Sequence, residues 1–370
     1  MRSTLIITND FPPRVGGIES FVSDICALLD HDVVVYASGT NGAAVSDRER
    51  PYPVVRDGPL LLPTPRVAGR AAGLLREFGA TRVIFGAAAP LGLLAPSLRR
   101  AGALRILGLT HGHETWWARL PVTQRLLRRI GDSCDHLSAI SGYTECRIAS
   151  ALSPSARRRL LRLAPPVDIA RFRPLEQTAL RSRARCVAVA RLIPQKGMST
   201  LLRAWRTVID RDARRGVNHD LIIVGDGPLR GRLERTIHDL ELSDSARLVG
   251  ALPRAGVIKQ LQQASVFAMP VRTRLAGLNP EGLGLAALEA ASCGLPVVVG
   301  DSGGAPETIL DGDTGFVVPS DDHQQLAERL SWLLENPQLA QEMGARGRRH
   351  VSAHFSTESA RVRLREMLDL

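Results

Sequence analysis

Long hydrophobic runs are missing from this 370-residue chain. The longest uncharged stretch, residues 83–98, is broken by Pro90, Gly92 and Pro96, which argues against a membrane-spanning helix. The start, Met1-Arg2-Ser3-Thr4-Leu5-Ile6-Ile7, runs into Asn9-Asp10 and lacks the apolar core of a signal peptide, so the expectation is an intracellular protein. Cysteine is scarce: Cys26, Cys134, Cys146, Cys186 and Cys293 are scattered with no CxxC pair. That pattern argues for reduced thiols and against a zinc site, and no metal is expected. Aromatic residues make up only 4% of the chain, poor material for base stacking, and no nucleic-acid motif is recognisable. Lysine is rarer still. Only Lys196 and Lys259 occur among 48 basic residues, so a lysine in a motif-like setting points to a need for a compact ammonium.

What is present is a hydrophobic content of 44%, spread over a length that exceeds one ordinary core and implies two domains. Short apolar runs at 5–8, 33–36, 83–85 and 106–109 alternate with helical patterns such as 20–29. This βα rhythm predicts an α/β fold with a doubly wound parallel sheet. Pro165-Pro166 interrupts the series, and a second set of runs follows at 186–190, 221–224, 246–249, 266–269 and 297–299. The linker is placed at 164–168, giving an N-terminal domain over 1–164 and a C-terminal domain over 168–355. The tail, 356–370, has helical spacing and is expected to pack back on the first domain. Ligands of open α/β sheets bind outside the carboxyl ends of the strands, so two such domains facing each other would form a cleft.

The net charge of +11 is unevenly placed. Residues 1–166 carry 21 Arg against 13 acidic side chains, a balance of +8, and the remainder carries +3. Anionic lipid head groups or a phosphate-bearing substrate fit that bias better than nucleic acid does. Two segments place it on amphipathic helices. Arg66, Arg70 and Arg76 interleave with Val67, Ala71, Leu74, Leu75 and Phe78, and Arg119, Arg125, Arg128 and Arg129 with Leu120, Leu126, Leu127 and Ile130. Such faces can lie on an anionic membrane, although most are simply solvated.

The densest motif is Asn279-Pro280-Glu281-Gly282-Leu283-Gly284-Leu285-Ala286-Ala287-Leu288-Glu289. Asn279-Pro280 keeps the chain extended, the glycines admit close approach, and a helix of good formers starts at Leu285. The unpaired amides of its first turn would face a ligand, and such a terminus binds phosphate. Glu281 and Glu289 would bracket a diphosphate. Two surface glutamates near a helix start would look the same, so other motifs must decide. Arg191 and Lys196, in Arg191-Leu192-Ile193-Pro194-Gln195-Lys196-Gly197, follow the first strand of the second domain and can bring cations to that diphosphate. A hydrolase acid–base pair made of Glu281 and Glu289 would leave both cations unused. A basic lipid or nucleic-acid binder without activity would explain the charge but none of these motifs. Val224-Gly225-Asp226-Gly227-Pro228 has Pro where a dinucleotide fingerprint has its further glycine, and reads as a structural turn. Asp301-Ser302-Gly303-Gly304-Ala305-Pro306-Glu307 is expected beside the Glu281 loop.

In the first half, Gly16-Gly17 sits between the first strand and a helix, where backbone could approach a phosphate. Thr110-His111-Gly112-His113-Glu114 ends a buried strand without the spacing of a zinc peptidase, which makes His111 a candidate for the reaction site. Trp116-Trp117 either wall an acceptor pocket or fill the core.

Together, Gly16-Gly17, His111, Arg191 with Lys196-Gly197, and the Glu281-x7-Glu289 spacing resemble the retaining, nucleotide-sugar-dependent glycosyltransferases of GT-B fold, family 4 type. The resemblance runs along almost the whole chain. Thr8-Asn9-Asp10-Phe11-Pro12-Pro13, Phe85-Gly86-Ala87-Ala88-Ala89-Pro90, Thr110 to Glu114, and Arg272-Thr273-Arg274 are most similar to the actinobacterial enzymes that move mannose from GDP-mannose to phosphatidylinositol monomannoside in α-1,6 linkage. The resemblance implies two Rossmann-like domains facing a cleft, no cofactor and no metal, and a glycolipid acceptor met at the inner face of the plasma membrane. It implies that Arg191, Lys196 and the amides of Leu285 and Ala286 hold the diphosphate, and that Glu289 binds the ribose. Glu281 would touch hydroxyls of the transferred sugar, His111 its 6-hydroxyl, and backbone near Leu252 the base, while Gly16 and Gly17 close over the phosphates. Another nucleotide sugar with a small-molecule or polysaccharide acceptor is the alternative within the same class.

Overall fold

The computed structural model describes residues 3–14, 16–175, 184–274, 277 and 279–370. The chain divides into two compact units, Met1–Pro166 with Thr357–Leu370, and Val167–Ser356. Each is built on one parallel sheet.

The first sheet is formed by β1 (Thr4–Thr8), β2 (Val33–Ser38), β3 (Val54–Asp57), β4 (Arg82–Phe85), β5 (Arg105–Thr110), β6 (His136–Ala139) and β7 (Leu160–Arg162), in the order β3-β2-β1-β4-β5-β6-β7. The second holds β8 (Arg185–Val189), β9 (Asp220–Val224), β10 (Ala246–Gly250), β11 (Val266–Met269), β12 (Val297–Gly300) and β13 (Gly315–Val318), in the order β10-β9-β8-β11-β12-β13. Strand order reverses between β1 and β4 in one sheet and between β8 and β11 in the other. Such reversals leave a crevice at the carboxyl ends of the strands, where α/β proteins place ligands.

Helices on both faces explain why the central strands read as unbroken apolar runs. Every residue of β1 and β2 is buried. The four strands that apolar runs do not disclose are β3, β6, β7 and β13. Three of them are sheet edges; half-buried or exposed positions dilute the signal in two, since β3 is partly buried throughout and two of the three residues of β7 are exposed, whereas β13 is short and largely buried. The fourth, β6, contains His136 and the buried Ser138.

Amphipathic helices complete each unit. The Met198–Arg215 helix buries Met198, Leu201, Leu202, Trp205 and Val208 on one stripe. The terminal helix Thr357–Leu368 belongs to the first unit, burying Ala360, Leu364, Met367 and Leu368. Arg361 there pairs with Asp30 at 2.5 Å, and the Arg82 guanidinium donates to the Leu368 carbonyl. At the chain crossing, the Val167 amide donates to the Phe355 carbonyl at 2.7 Å.

Candidate functional site

In the second unit the turn after β8 carries the two cations. Its path is set by the loop after β9: Ala190 N donates to Val224 O, and Leu192 N to Asp226 O. Gly225 (φ +135°) and Gly227 (φ +156°) make that approach possible, because a Cβ on Gly225 would lie 1.8 Å from the Ala190 carbonyl oxygen. The sequence's glycine-rich loop is therefore a structural brace. It presents Arg191, which is exposed and whose guanidinium has no protein partner among the described residues.

Lys196 ends the short 3₁₀ turn Pro194–Lys196, and Gly197 follows at φ +70° with no room for a Cβ against the Pro270 carbonyl. Arg272 holds this turn by donating from Nε to Pro194 O at 2.9 Å, while its own amide donates to Gln195 O at 2.8 Å. Gln195 Nε2 in turn donates to Pro280 O at 2.7 Å, tying the cation turn to the segment before Glu281. The result is an ion pair between Lys196 Nζ and Glu281 Oε2 at 2.7 Å, with both side chains largely buried. An ammonium has three donors, and this pair uses one, so others remain for phosphate oxygens.

Glu281 is also fixed from behind. Its amide donates to Ser302 Oγ at 3.2 Å, its carbonyl accepts from Gly304 N at 2.9 Å, and Ser302 shares a 2.8 Å hydrogen bond with Thr273 Oγ1. A Cβ on Gly303 would sit 1.9 Å from the Glu281 carbonyl oxygen. The 301–307 segment thus lies beside the Glu281 loop.

Gly284, at φ +104°, caps the Leu285–Ser292 helix. The first helical bond runs from Ala287 N to Gly284 O at 2.9 Å, so the amides of Leu285 and Ala286 precede the ladder, at the positive end of the helix. One turn in, Glu289 is buried, and its Oε1 lies 3.3 Å from Arg254 Nη2. Leu252 is partly buried two residues before Arg254, which opens the Arg254–Gln262 helix. The second unit therefore gathers Lys196, Glu281 and the helix start directly. Leu252 adjoins Glu289 through Arg254.

In the first unit the carboxyl ends of β1, β4 and β5 meet. His111 follows β5, and its Nε2 lies 2.5 Å from the carbonyl of Gly86, which follows β4. A carbonyl only accepts, so Nε2 carries the proton and the neutral ring offers Nδ1 as an acceptor. Burial pushes the His111 pKa below the ordinary imidazole value, against the opposing pull of Glu114. The buried Glu114 carboxylate accepts from the His111 amide at 2.9 Å, with its other oxygen 3.2 Å from His113 Nε2. Gly86 cannot carry a side chain here, since a Cβ would come within 2.6 Å of Thr8 at the end of β1. Gly16 caps the Gly17–Leu28 helix in extended conformation, and a Cβ on Gly17 would meet nothing within 4 Å.

Trp116 and Trp117 form the second half of the short Glu114–Trp117 helix, with ring centroids 5.5 Å apart. Trp117 packs partly against the apolar core of this unit, so filling the core accounts for at least one of the pair. The basic helices run over Pro65–Phe78 and Pro121–Ser133. At the start of the latter, Leu120 (50% exposed) and Val122 (70%) stand among the exposed Arg119, Arg125, Arg128 and Arg129.

Roles for Gln195, Arg254, Arg272, Thr273 and Glu114 escape a linear reading, because each acts on a partner brought in by the fold. The sequence singles out Arg272 and Thr273 only through the resemblance of Arg272-Thr273-Arg274 and their place just after an apolar strand, neither of which discloses their partners. Among the described residues, no group of three His, Cys, Asp or Glu side chains has the arrangement of a metal site.

Comparison with known proteins extends the picture to the whole chain. The glycosyl transferases group 1 family matches residues 177–350, and glycosyltransferase family 4 matches residues 15–171. The chain is 43% identical, over 98% of its length and 97% of the relative's, to a Mycolicibacterium smegmatis protein named GDP-mannose-dependent alpha-(1-6)-phosphatidylinositol monomannoside mannosyltransferase. A Corynebacterium glutamicum protein, named as the corresponding enzyme for the monoacylated form, is 40% identical over 99% of this chain and 98% of its own. Among solved structures, HepE of Anabaena in complex with UDP superposes with a TM-score of 0.81 at 18% identity, covering 99% of both chains. A Thermosynechococcus elongatus sucrose-phosphate synthase gives 0.79 at 19% identity, covering 100% of this chain and 98% of that one.

Proposed function

Because the chain belongs to the family 4 glycosyltransferases and has their GT-B fold of two Rossmann-like parallel-sheet units, we infer that it is a mannosyltransferase moving mannose from GDP-mannose to a phosphatidylinositol monomannoside. The structural observation that supports this reading is the convergence of Lys196, Glu281 and the amide-bearing start of the Leu285–Ser292 helix in one unit. A nucleoside diphosphate sugar needs cations and amides for its diphosphate and acceptors for its hydroxyls, and these residues supply both.

In this reading the diphosphate lies against the amides of Leu285 and Ala286 with Arg191 and Lys196 beside it. As the bond from the anomeric carbon to the phosphate oxygen breaks, its electron pair goes to the diphosphate, and the fixed cations stabilise that charge. Glu281 binds hydroxyls of the departing sugar, Glu289 the ribose, and backbone at Leu252 the base. From the first unit, His111 serves the sugar 6-hydroxyl, and Gly16 and Gly17 serve the phosphates. The acceptor hydroxyl enters on the face that the diphosphate leaves, with retention of configuration. Its proton passes to the departing phosphate oxygen.

A lipid acceptor has to be met at a membrane. No helix among the described residues is long and apolar enough to cross one. The exposed Leu120 and Val122, set among arginines, fit a peripheral contact with an anionic surface on the cytoplasmic side.

The test is a panel of GDP- and UDP-sugars offered with phosphatidylinositol monomannoside and with soluble sugars. The expected result is hexose transfer from GDP-mannose to the lipid, lost in Arg191→Ala. Turnover of a UDP-sugar onto a soluble acceptor, with GDP-mannose inert, would establish the alternative donor and acceptor instead.

A further inference from the structure

Arg254 is a cation near the proposed nucleotide site that the sequence motifs do not announce, and its setting is specific. Its guanidinium carbon lies 4.8 Å from the centroid of the Phe172 ring, and its Nη2 reaches 3.3 Å from Glu289 Oε1. Phe172 is fully buried and immobilised through its carbonyl, which accepts from Ser292 Oγ at 2.6 Å and from Arg348 Nη1 at 2.9 Å. Arg348 Nη1 also donates to the Ser292 carbonyl. Ser292 lies three residues beyond Glu289 on the same helix. Helix, ring, guanidinium and carboxylate therefore form a closed circuit.

Such a circuit fixes two things at once. Stacking on a rigid ring restricts a long side chain that otherwise samples many rotamers. The restricted guanidinium then holds one oxygen of a buried carboxylate, which sets the direction of the other. Arg254 itself is 46% exposed, against 9% for the Glu289 side chain, so the contact joins a half-exposed guanidinium to a buried carboxylate.

We propose that Arg254 is a positioning residue for the nucleotide ribose: stacked on Phe172, it orients the Glu289 carboxylate so that it accepts from the ribose hydroxyls, and it thereby sets the selectivity of this site for a ribonucleoside diphosphate. This rests on the assignment of Glu289 to the ribose. The identity of the base plays no part.

The test compares the binding of GDP and 2′,3′-dideoxy-GDP by titration calorimetry to the full-length protein, with UDP and its dideoxy analogue measured beside them. Each hydrogen bond to a charged acceptor is worth on the order of 1.5–3 kcal/mol, so the wild-type protein should prefer the ribonucleotide by at least about tenfold. Arg254→Met keeps a long unbranched side chain beside Phe172 but has no donor, and it should reduce that preference to about twofold or less. Arg254→Lys should restore part of it. A merely structural role for Arg254 would lower the affinity for both nucleotides together and leave their ratio unchanged, which overturns the proposal. A wild-type protein with no ribose preference overturns the Glu289 assignment and the proposal with it. Preference confined to the uracil pair would overturn the guanine donor; the proposal then stands if Arg254→Met collapses that preference and falls if the ratio is unchanged.

Discussion

Lys196 and Glu281, 85 positions apart in sequence, form a largely buried 2.7 Å ion pair at the carboxyl edge of the second sheet. A pair of this kind is held by what surrounds it. Here the surroundings are the Arg272 bonds to Pro194 and Gln195 on one side and the Ser302–Gly304 bonds to Glu281 on the other. The pairing also separates the two roles. The lysine retains donors for phosphate, and Glu281 Oε1 has no protein partner among the described residues, leaving it open to a hydroxyl.

The first prediction concerns the lysine. Lys196→Ala should lower turnover by ~10²-fold or more, the scale seen when one fixed electrostatic stabiliser of a developing charge is removed. Steady-state kinetics with saturating acceptor measure it. Near-normal turnover would remove Lys196 from the mechanism.

A second prediction concerns the brace. Gly225→Ala puts a Cβ 1.8 Å from the Ala190 carbonyl at a φ of +135° that L side chains rarely adopt. The strain alone is worth about 1–3 kcal/mol, and relieving the clash has to displace the strand end that presents Arg191. Urea denaturation should show the loss of stability, and titration should show weaker binding of the nucleoside diphosphate. Unchanged affinity would show that Arg191 does not depend on this loop.

These two cases mark what was legible in the sequence. Central strands such as β1, β2, β8 and β12 announce themselves as apolar runs because helices cover both faces of the sheet. Lys196, Glu281 and the Leu285 helix start stand out through rarity, spacing and glycine punctuation. The edge strands β3 and β7 do not stand out, since they are half-buried or exposed and look like loops between prolines and arginines. Nor do Arg272, Gln195 and Arg254. Their bonds join segments 35–85 residues apart, to carbonyls or carboxylates that no local pattern identifies. The separation for Arg254 and Glu289 follows from their numbers, 35 positions. Long-range hydrogen bonds of this kind are created by topology, so composition and periodicity carry no trace of them.

The third prediction tests the membrane contact. Each basic residue near an anionic surface contributes about 1 kcal/mol, so reversing Arg125, Arg128 and Arg129 to Glu should weaken vesicle binding by at least ~10²-fold. Sedimentation with phosphatidylglycerol-containing vesicles measures it, with phosphatidylcholine vesicles as the reference. Val122→Ser should weaken binding to both kinds, because that side chain is 70% exposed and acts through apolar burial. Unchanged binding in both variants would move the contact away from this helix.

The last prediction follows from His111. Its folded-state pKa is depressed below the ordinary 6.5, with burial as the main cause. The unfolded chain therefore takes up a proton near pH 6.5 that the folded ring refuses, and stability must fall as pH drops below that value until the folded ring titrates as well. His350 in the second unit is shifted the same way, first by burial and then by His354, so the global stability of the protein mixes both effects. Hydrogen exchange of the β4 and β5 amides isolates the first unit, because these strands carry the Gly86 and His111 ends. Protection there should decrease from pH 7 toward acid in the wild-type protein, after correction for intrinsic exchange. In His111→Gln, whose side-chain amide can still donate to the Gly86 carbonyl but does not titrate, the decrease should be shallower. Parallel curves for the two proteins would mean that the ring takes up its proton as readily folded as unfolded.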